Sequence, residues 1–106
     1  MTHAISLARI QANFGCSEAV GPCLAELVRC SRADEGCLGY ELQCNDGHDT
    51  WMLRGEWASE QALMAHLQQP HVQVLGQLLA GGLVRHLALH SENVGALESY
   101  SSGVAL

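Results

Sequence analysis

Lysine is absent from this chain, and charged residues of either sign are scarce. Acidic residues and five arginines make up 15% of the 106 residues, and the formal net charge is −6. The arginines are scattered along the sequence, at Arg9, Arg29, Arg32, Arg54 and Arg85. Nucleic-acid binding usually depends on a basic patch that neutralises phosphates. We therefore expect no nucleic-acid partner, and we expect the weakly charged surface to be partly buried against another subunit.

Long hydrophobic runs are also missing. A helix that crosses a membrane needs about 18 or more largely apolar residues in succession, and no segment approaches that length. The first residues, MTHAISLARIQ, have neither the basic start nor the apolar stretch of a secretory signal. We therefore expect a cytoplasmic protein with no membrane partner.

The chain has five cysteines, which recur every seven residues. The positions are Cys16, Cys23, Cys30, Cys37 and Cys44. Zinc sites usually draw pairs of ligands two to four residues apart, and a reducing cytosol disfavours disulfides. We interpret the spacing as chance and the cysteines as small apolar residues. The sequence therefore predicts no metal site.

The apolar pattern predicts six elements in one domain. In chain order they are a strand over 3–12, a helix over 17–32, strands over 37–44 and 50–58, a helical region from 59 to 80 and a strand over 83–90. Ser17 and Ser59 are candidate N-caps. Asp-Gly within NDGHD predicts a hairpin turn. Pro70 is expected to end one helical piece and to begin another as its first residue.

This order, β-α-β-β-α-β, predicts a ferredoxin-like α+β fold, a four-stranded antiparallel sheet with its helices on one face. The first strand carries apolar residues on both faces, with Ile5 and Leu7 opposite Ala4, Ala8 and Ile10. An apolar outer face is expected to be covered. We expect a second copy to pack sheet against sheet as a homodimer. The domain spans 1–106, with a core over about 3–90 and an unassigned tail over 91–106.

Two segments are more specific than this pattern. They are E-G-C-x-x-Y at residues 35–40 and E-W-x-S-x-x-A-x-x-A-H-L-x-x-P-H at residues 56–71. They resemble the antibiotic biosynthesis monooxygenase (ABM) family of dimeric α+β barrels, and the second is similar to the bacterial quinol monooxygenases. The resemblance covers about residues 3–90. It implies cofactor-independent oxygenation of a small aromatic quinol, anthrone or polyketide-like substrate by dioxygen.

The resemblance also bears on cofactors. Heme-degrading members of the family hold iron with a histidine about ten residues after the position of His66, where this chain has Gly76. Their partner asparagine on the first strand is missing as well. No G-x-G-x-x-G segment indicates a flavin or nicotinamide site. We therefore expect no cofactor.

His66 and His71 lie on either side of Pro70, so helical spacing does not govern the pair and both rings could face one cavity. An imidazole with a pKa near about 6.5 can accept a proton at neutral pH, which makes His66 the candidate catalytic base. A negatively charged intermediate also needs a stabilising partner. The predicted substrate-binding residues are Trp57, His71, Arg54, Leu53 and Arg85.

Other interpretations stay open for the same residues. His66 and Trp57 could serve only packing, and Arg54 could form an ion pair with Glu56 at the dimer interface. Two other functions also fit the fold. One is an isomerase that shifts a proton on a small ketone with the same histidine, and the other is a non-catalytic dimer that binds apolar ligands.

Overall fold

The computed structural model describes residues 3–45 and 49–94. Its elements are β1 (His3–Ala12), α1 (Ser17–Ser31), β2 (Cys37–Cys44), β3 (Thr50–Trp57), α2 (Glu60–Leu67), a 3₁₀ turn (Pro70–Gln73), α3 (Val74–Ala80) and β4 (Val84–Val94). The strands form one antiparallel sheet in the order β2-β3-β1-β4. This arrangement confirms the predicted ferredoxin-like fold.

The inner face of the sheet carries the core. Alternate residues of β1 and β3 lie on this face, since side chains alternate along a strand, and they pack against the buried stripes of the helices. The buried residues of these two strands are Ala4, Ala8, Ile10, Ala12, Leu53 and Trp57. The helices contribute a leucine-rich set in which Leu24, Leu27, Leu63, Leu75 and Leu78 are buried.

The outer face of the sheet is formed by the strand residues that lie between the inward-facing positions. Register places Leu7 opposite Arg54 and His90, and Arg9 opposite Met52 and Ala88. No helix described in residues 3–45 and 49–94 covers this face. On this face Leu7, Met52 and Ala88 are apolar and half-buried within one chain, and Arg9 and Arg54 beside them are exposed.

The second helical region is broken as the sequence predicts. Ser59 caps α2, its hydroxyl accepting a hydrogen bond from the Ala62 backbone N–H at 3.1 Å. Pro70 then begins the 3₁₀ turn, where its missing N–H costs nothing. The chain continues from that turn into α3 and passes Gly82, whose φ of +82° favours glycine.

One predicted cap and several predicted element ends are wrong. Cys16, and not Ser17, occupies the N-cap position of α1, with no side-chain cap hydrogen bond. The helix ends at Ser31 and β3 ends at Trp57, one residue earlier than predicted in each case. The last strand continues through residues 91–94, because they pair with the start of β1. Backbone pairing, and not apolar periodicity, holds this extension. The NDGHD turn lies partly, and residues 95–106 wholly, outside the described residues.

None of the five cysteines forms a disulfide. Cys16, Cys23 and Cys37 pack against the core, in line with their interpretation as small apolar residues. In the described part of the chain, no helix has the length and apolar character that crossing a membrane requires. The cytoplasmic location stays a prediction.

Candidate functional site

A carboxylate joins the two histidines on either side of the helix break at Pro70. The Oδ2 atom of Asp34 lies 2.8 Å from Nδ1 of His66 and 2.8 Å from Nε2 of His71. The His66 side chain is only 2% exposed, against 11% for Asp34 and 21% for His71. The three residues therefore form one cluster, the Asp34 cluster, which runs from the protein interior toward the surface.

A tight turn between α1 and β2 brings Asp34 to this position. Gly36 adopts a φ of +83°, and a Cβ atom there would lie 2.5 Å from the Cβ of Ala62 on α2. Only glycine allows the turn to approach α2 so closely. Within the turn, the Cys37 N–H donates a hydrogen bond of 3.1 Å to the Asp34 carbonyl oxygen. Asp34 is thereby held against the helix that carries His66.

The hydrogen bonds assign the tautomers of both rings. An ionised carboxylate can only accept, so the nitrogen of each ring that faces Asp34 carries the proton. His66 is then protonated at Nδ1 and keeps a lone pair on Nε2. Burial lowers the pKa of His66, and the hydrogen bond and charge of Asp34 oppose that effect. A neutral His66 held by a carboxylate is the arrangement that general bases require.

Aromatic rings enclose His66. Its centroid lies 4.3 Å from that of Trp57 and 5.4 Å from that of Tyr40. Trp57 is fully buried, and Tyr40 is nearly so. Burial raises the pKa of Tyr40 to about 12, so its hydroxyl stays protonated. Trp57 thus packs in the core, the alternative that the sequence left open, and its predicted contact with substrate stays a prediction.

An apolar hollow of about 240 Å³ lies between the inner face of the sheet and the helices α2 and α3. Leu53, Leu63, Leu67 and Leu75 supply much of its lining. Its polar lining residues are Ser6, His90 and Ser91, and no arginine is among the lining residues described. The hollow thus suits a small, mostly apolar molecule.

Trp57 connects the hollow with the Asp34 cluster. Its ring contacts His66, and its Nε1–H donates a hydrogen bond of 3.1 Å to the Ser6 hydroxyl oxygen. Gly55 makes room for this bond. A Cβ atom at Gly55 would lie 2.7 Å from both Ser6 Oγ and Trp57 Nε1 and 2.8 Å from Cδ1 of Tyr40.

His71 faces a different opening. It lines a cleft of about 480 Å³ between α1 and the 3₁₀ turn with α3, together with Cys23, Glu26 and Val74. Of the predicted site residues, the fold brings His66, His71 and Trp57 together, and Leu53 lines the hollow beside them.

The two arginines lie elsewhere. Arg54 is on the outer face of the sheet, 4.0 Å from Glu56 between their charged groups. Arg85 lies at the start of β4, 3.8 Å from the Asp49 carboxylate and with its guanidinium 4.8 Å from the centre of the Phe14 ring. Neither lines the hollow within one chain.

The Asp34 cluster also offers three metal-ligand atoms, all within 4.8 Å of one another. Two imidazoles and a carboxylate form a donor set that zinc or iron accepts. In the arrangement described, the two ring N–H groups already donate hydrogen bonds to the Asp34 carboxylate. The ligand atoms that face one another are therefore paired with each other.

Sequence reasoning missed Asp34 and Ser6. Asp34 is 32 and 37 residues from its histidine partners, so no local spacing could reveal it. Ser6 could have been noticed from the sequence, because it is a polar residue on the same face of β1 as the buried Ala4 and Ala8. This signal is weak.

Comparison with solved structures agrees with the fold described above. PA3566 from Pseudomonas aeruginosa is 26% identical, with a TM-score of 0.77 over 86% of this chain and 92% of that protein. A structure of an antibiotic biosynthesis monooxygenase is 23% identical, with a TM-score of 0.72 over 92% of this chain and 100% of its own. Rv0793 from Mycobacterium tuberculosis is 22% identical, with a TM-score of 0.76 over 93% and 99%.

No curated protein sequence matches the chain significantly. The sequence model of the family described as antibiotic biosynthesis monooxygenase matches residues 4–76, which is more than half of the chain. The chain therefore belongs to the antibiotic biosynthesis monooxygenase family.

Proposed function

We propose that this protein is a cofactor-independent monooxygenase that acts, as a cytoplasmic homodimer, on a small aromatic quinol, anthrone or polyketide-like substrate. Membership of the family favours a monooxygenase-like activity. The observation that carries the finer proposal is the hydrogen bond between Asp34 and Nδ1 of His66.

His66 is the proposed base. Its Nδ1–H is committed to Asp34, which leaves Nε2 as the proton acceptor. Once His66 has taken a proton, the negative charge of Asp34 stabilises the imidazolium. Burial keeps the ring neutral before the reaction, because it lowers the His66 pKa.

The hollow is the proposed substrate site. At about 240 Å³ it is smaller than the roughly 300–1,000 Å³ of pockets for drug-sized ligands, which favours a compact aromatic molecule. Its leucine lining excludes water, and exclusion of water protects a reactive anion. In this proposal the acidic hydrogen of the substrate is turned toward Ser6, whose partner Trp57 contacts His66. Trp57 and His66 are not among the lining residues of the hollow, so proton transfer to Nε2 of His66 requires the indole to move aside.

The reaction balances without a further reductant. For an anthrone, His66 removes a proton from the ring CH₂ group, and the resulting enolate transfers electrons to dioxygen as a carbon–oxygen bond forms. The peroxide anion takes the proton back from His66. The hydroperoxide then loses water, so that one oxygen atom remains as a carbonyl and the other leaves in water.

The test is dioxygen uptake with a panel of quinols and anthrones. We expect uptake by the parent protein and a loss of about 10²- to 10⁴-fold in kcat for His66→Ala, since this is the usual contribution of a general base. His66→Gln should lose as much, although its amide can still donate to Asp34. His86→Ala, which removes an exposed histidine of β4, is the matched control.

Uptake that His66→Ala and His66→Gln leave unchanged would remove His66 as the base. Substrate turnover without dioxygen consumption would instead indicate the isomerase. Binding of the aromatic compounds with no turnover would indicate the non-catalytic dimer.

A further inference from the structure

The proposed reaction needs a donor for the substrate's negative oxygen, and neither Arg54 nor Arg85 of the same chain lines the hollow. Arg54 lies on the outer face and Arg85 pairs with Asp49 near the start of β4. An anion in an apolar site is unstable unless a hydrogen-bond donor faces it. The candidate donors within the described chain are therefore the polar lining residues of the hollow.

Ser6 is the lining residue that the fold orients. Its oxygen accepts a hydrogen bond from the Trp57 Nε1–H at 3.1 Å. An indole nitrogen can only donate, so this contact uses a lone pair of Ser6 and leaves the hydroxyl proton uncommitted. Within residues 3–45 and 49–94, no second hydrogen bond of the Ser6 hydroxyl is present. Its proton can therefore be donated into the hollow.

The surroundings show that this orientation is built into the sheet. Ser6 stands directly opposite Gly55 on β3, and any larger residue there would collide with both partners of the Ser6–Trp57 bond. Trp57 is fully buried and is fixed on its other side by the His66 ring at 4.3 Å. The indole thus holds the Ser6 hydroxyl at a fixed place in the wall of the hollow.

We propose that the Ser6 hydroxyl forms an oxyanion-binding site that takes the phenolate or enolate oxygen of a small aromatic ligand. The negative charge of a phenolate or enolate is partly spread over the ring, so its oxygen carries less charge than that of a localised anion. A single neutral donor therefore suits it better than it would suit a localised anion. The place of this site in oxygenation rests on the proposed function, whereas the binding of a phenolate does not.

The experiment uses 4-nitrophenol, a one-ring phenol whose ionised form absorbs differently from its neutral form. Absorbance titration of the bound probe gives its affinity and its apparent pKa. We expect the pKa of the bound probe to be about one unit lower in the parent protein than in Ser6→Ala, because a hydrogen bond to a charged oxygen strengthens phenolate binding by about tenfold or more. Ser6→Ala should lose this downward shift and weaken phenolate binding by the same factor.

Two variants control the result. Ser17→Ala removes a hydroxyl at the start of α1, away from the lining residues of the hollow, and should keep the shift. Ser6→Thr keeps a hydroxyl and should restore it. Thermal unfolding of each variant checks that the fold is retained.

Equal pKa shifts in the parent protein and Ser6→Ala would overturn the proposal, as would the absence of 4-nitrophenol binding by the parent. The binding measurement needs no oxygen and no turnover. A protein that binds the phenolate through Ser6 but consumes no dioxygen would refute only the oxygenase.

Discussion

At the scale of single residues, His66 combines deep burial with one charged partner. Asp34, Tyr40 and His71 are the titratable groups that face its ring, from the α1–β2 turn, from β2 and from the 3₁₀ turn. Burial is the largest influence on the His66 pKa, and it lowers it. The folded protein therefore favours a neutral ring, which costs stability whenever the unfolded chain would be protonated.

The sign of this cost can be measured. An unfolded histidine has a pKa of about 6.5, so below that pH the unfolded state binds the proton more readily than the folded state. The free energy of unfolding should therefore fall as pH drops through about 6.5, and the His66 contribution should level off below its lowered folded pKa. Urea unfolding of the parent and of His66→Gln between pH 8 and pH 5 should show a smaller fall for the variant. Parallel pH profiles would contradict this prediction.

At the scale of elements, side chains from three neighbouring strands pack against Gly55. β3 runs between β2 and β1, and at Gly55 it passes beneath side chains of both neighbours, Tyr40 from β2 and Ser6 from β1. The missing side chain leaves the space in which the Ser6–Trp57 bond and the Tyr40 ring pack. The spacing of these three strands thus depends on one position.

Gly55→Ala should cost about 1–3 kcal/mol of unfolding free energy, because a Cβ atom within 2.8 Å of three heavy atoms forces the strands or their side chains to move. Gly39→Ala on β2 is the matched control, since its Cβ would meet nothing within 4 Å. The comparison is the midpoint of urea unfolding, and Gly39→Ala should change it little. A Gly55→Ala midpoint equal to that of the control would show that the close contacts relax without cost.

At the scale of the whole molecule, the two faces of the sheet differ in what covers them. The inner face is closed by the helices, whereas Ile5, Leu7, Met52 and Ala88 lie on an outer face that no described helix reaches. Burying such a patch against a second copy removes apolar area from water on both sheets. The homodimer expected from the sequence therefore has a specific interface to test.

Light scattering after size-exclusion chromatography should find a dimer for the parent protein. Leu7→Glu places a charge at the centre of the outer face, and we expect it to shift the protein to monomers at the same concentration, because an unpaired buried charge is costly. Met64→Glu on the exposed side of α2 should leave the dimer intact. A monomeric parent protein, or a dimer unaffected by Leu7→Glu, would exclude this interface.

Much of the fold could be predicted because its signals are local. Alternation along β1 and β3, the Ser59 cap and the break at Pro70 each involve residues within a few positions of one another. The errors fell where local signals are weak. Cys16 replaces a conventional cap, and residues 91–94 become a strand only because β1 is available to pair with them.

The sequence by itself determined the order of elements, the inward and outward faces of the strands and the two histidines around Pro70. Only the tertiary structure decided which groups these histidines and Trp57 meet. Asp34 reaches them across 32 and 37 residues, and Ser6 reaches Trp57 across 51. Periodicity extends over a few turns of a helix or a few residues of a strand. Contacts over such separations are set by the packing of the turn before β2 against α2 and by the register of β1 with β3.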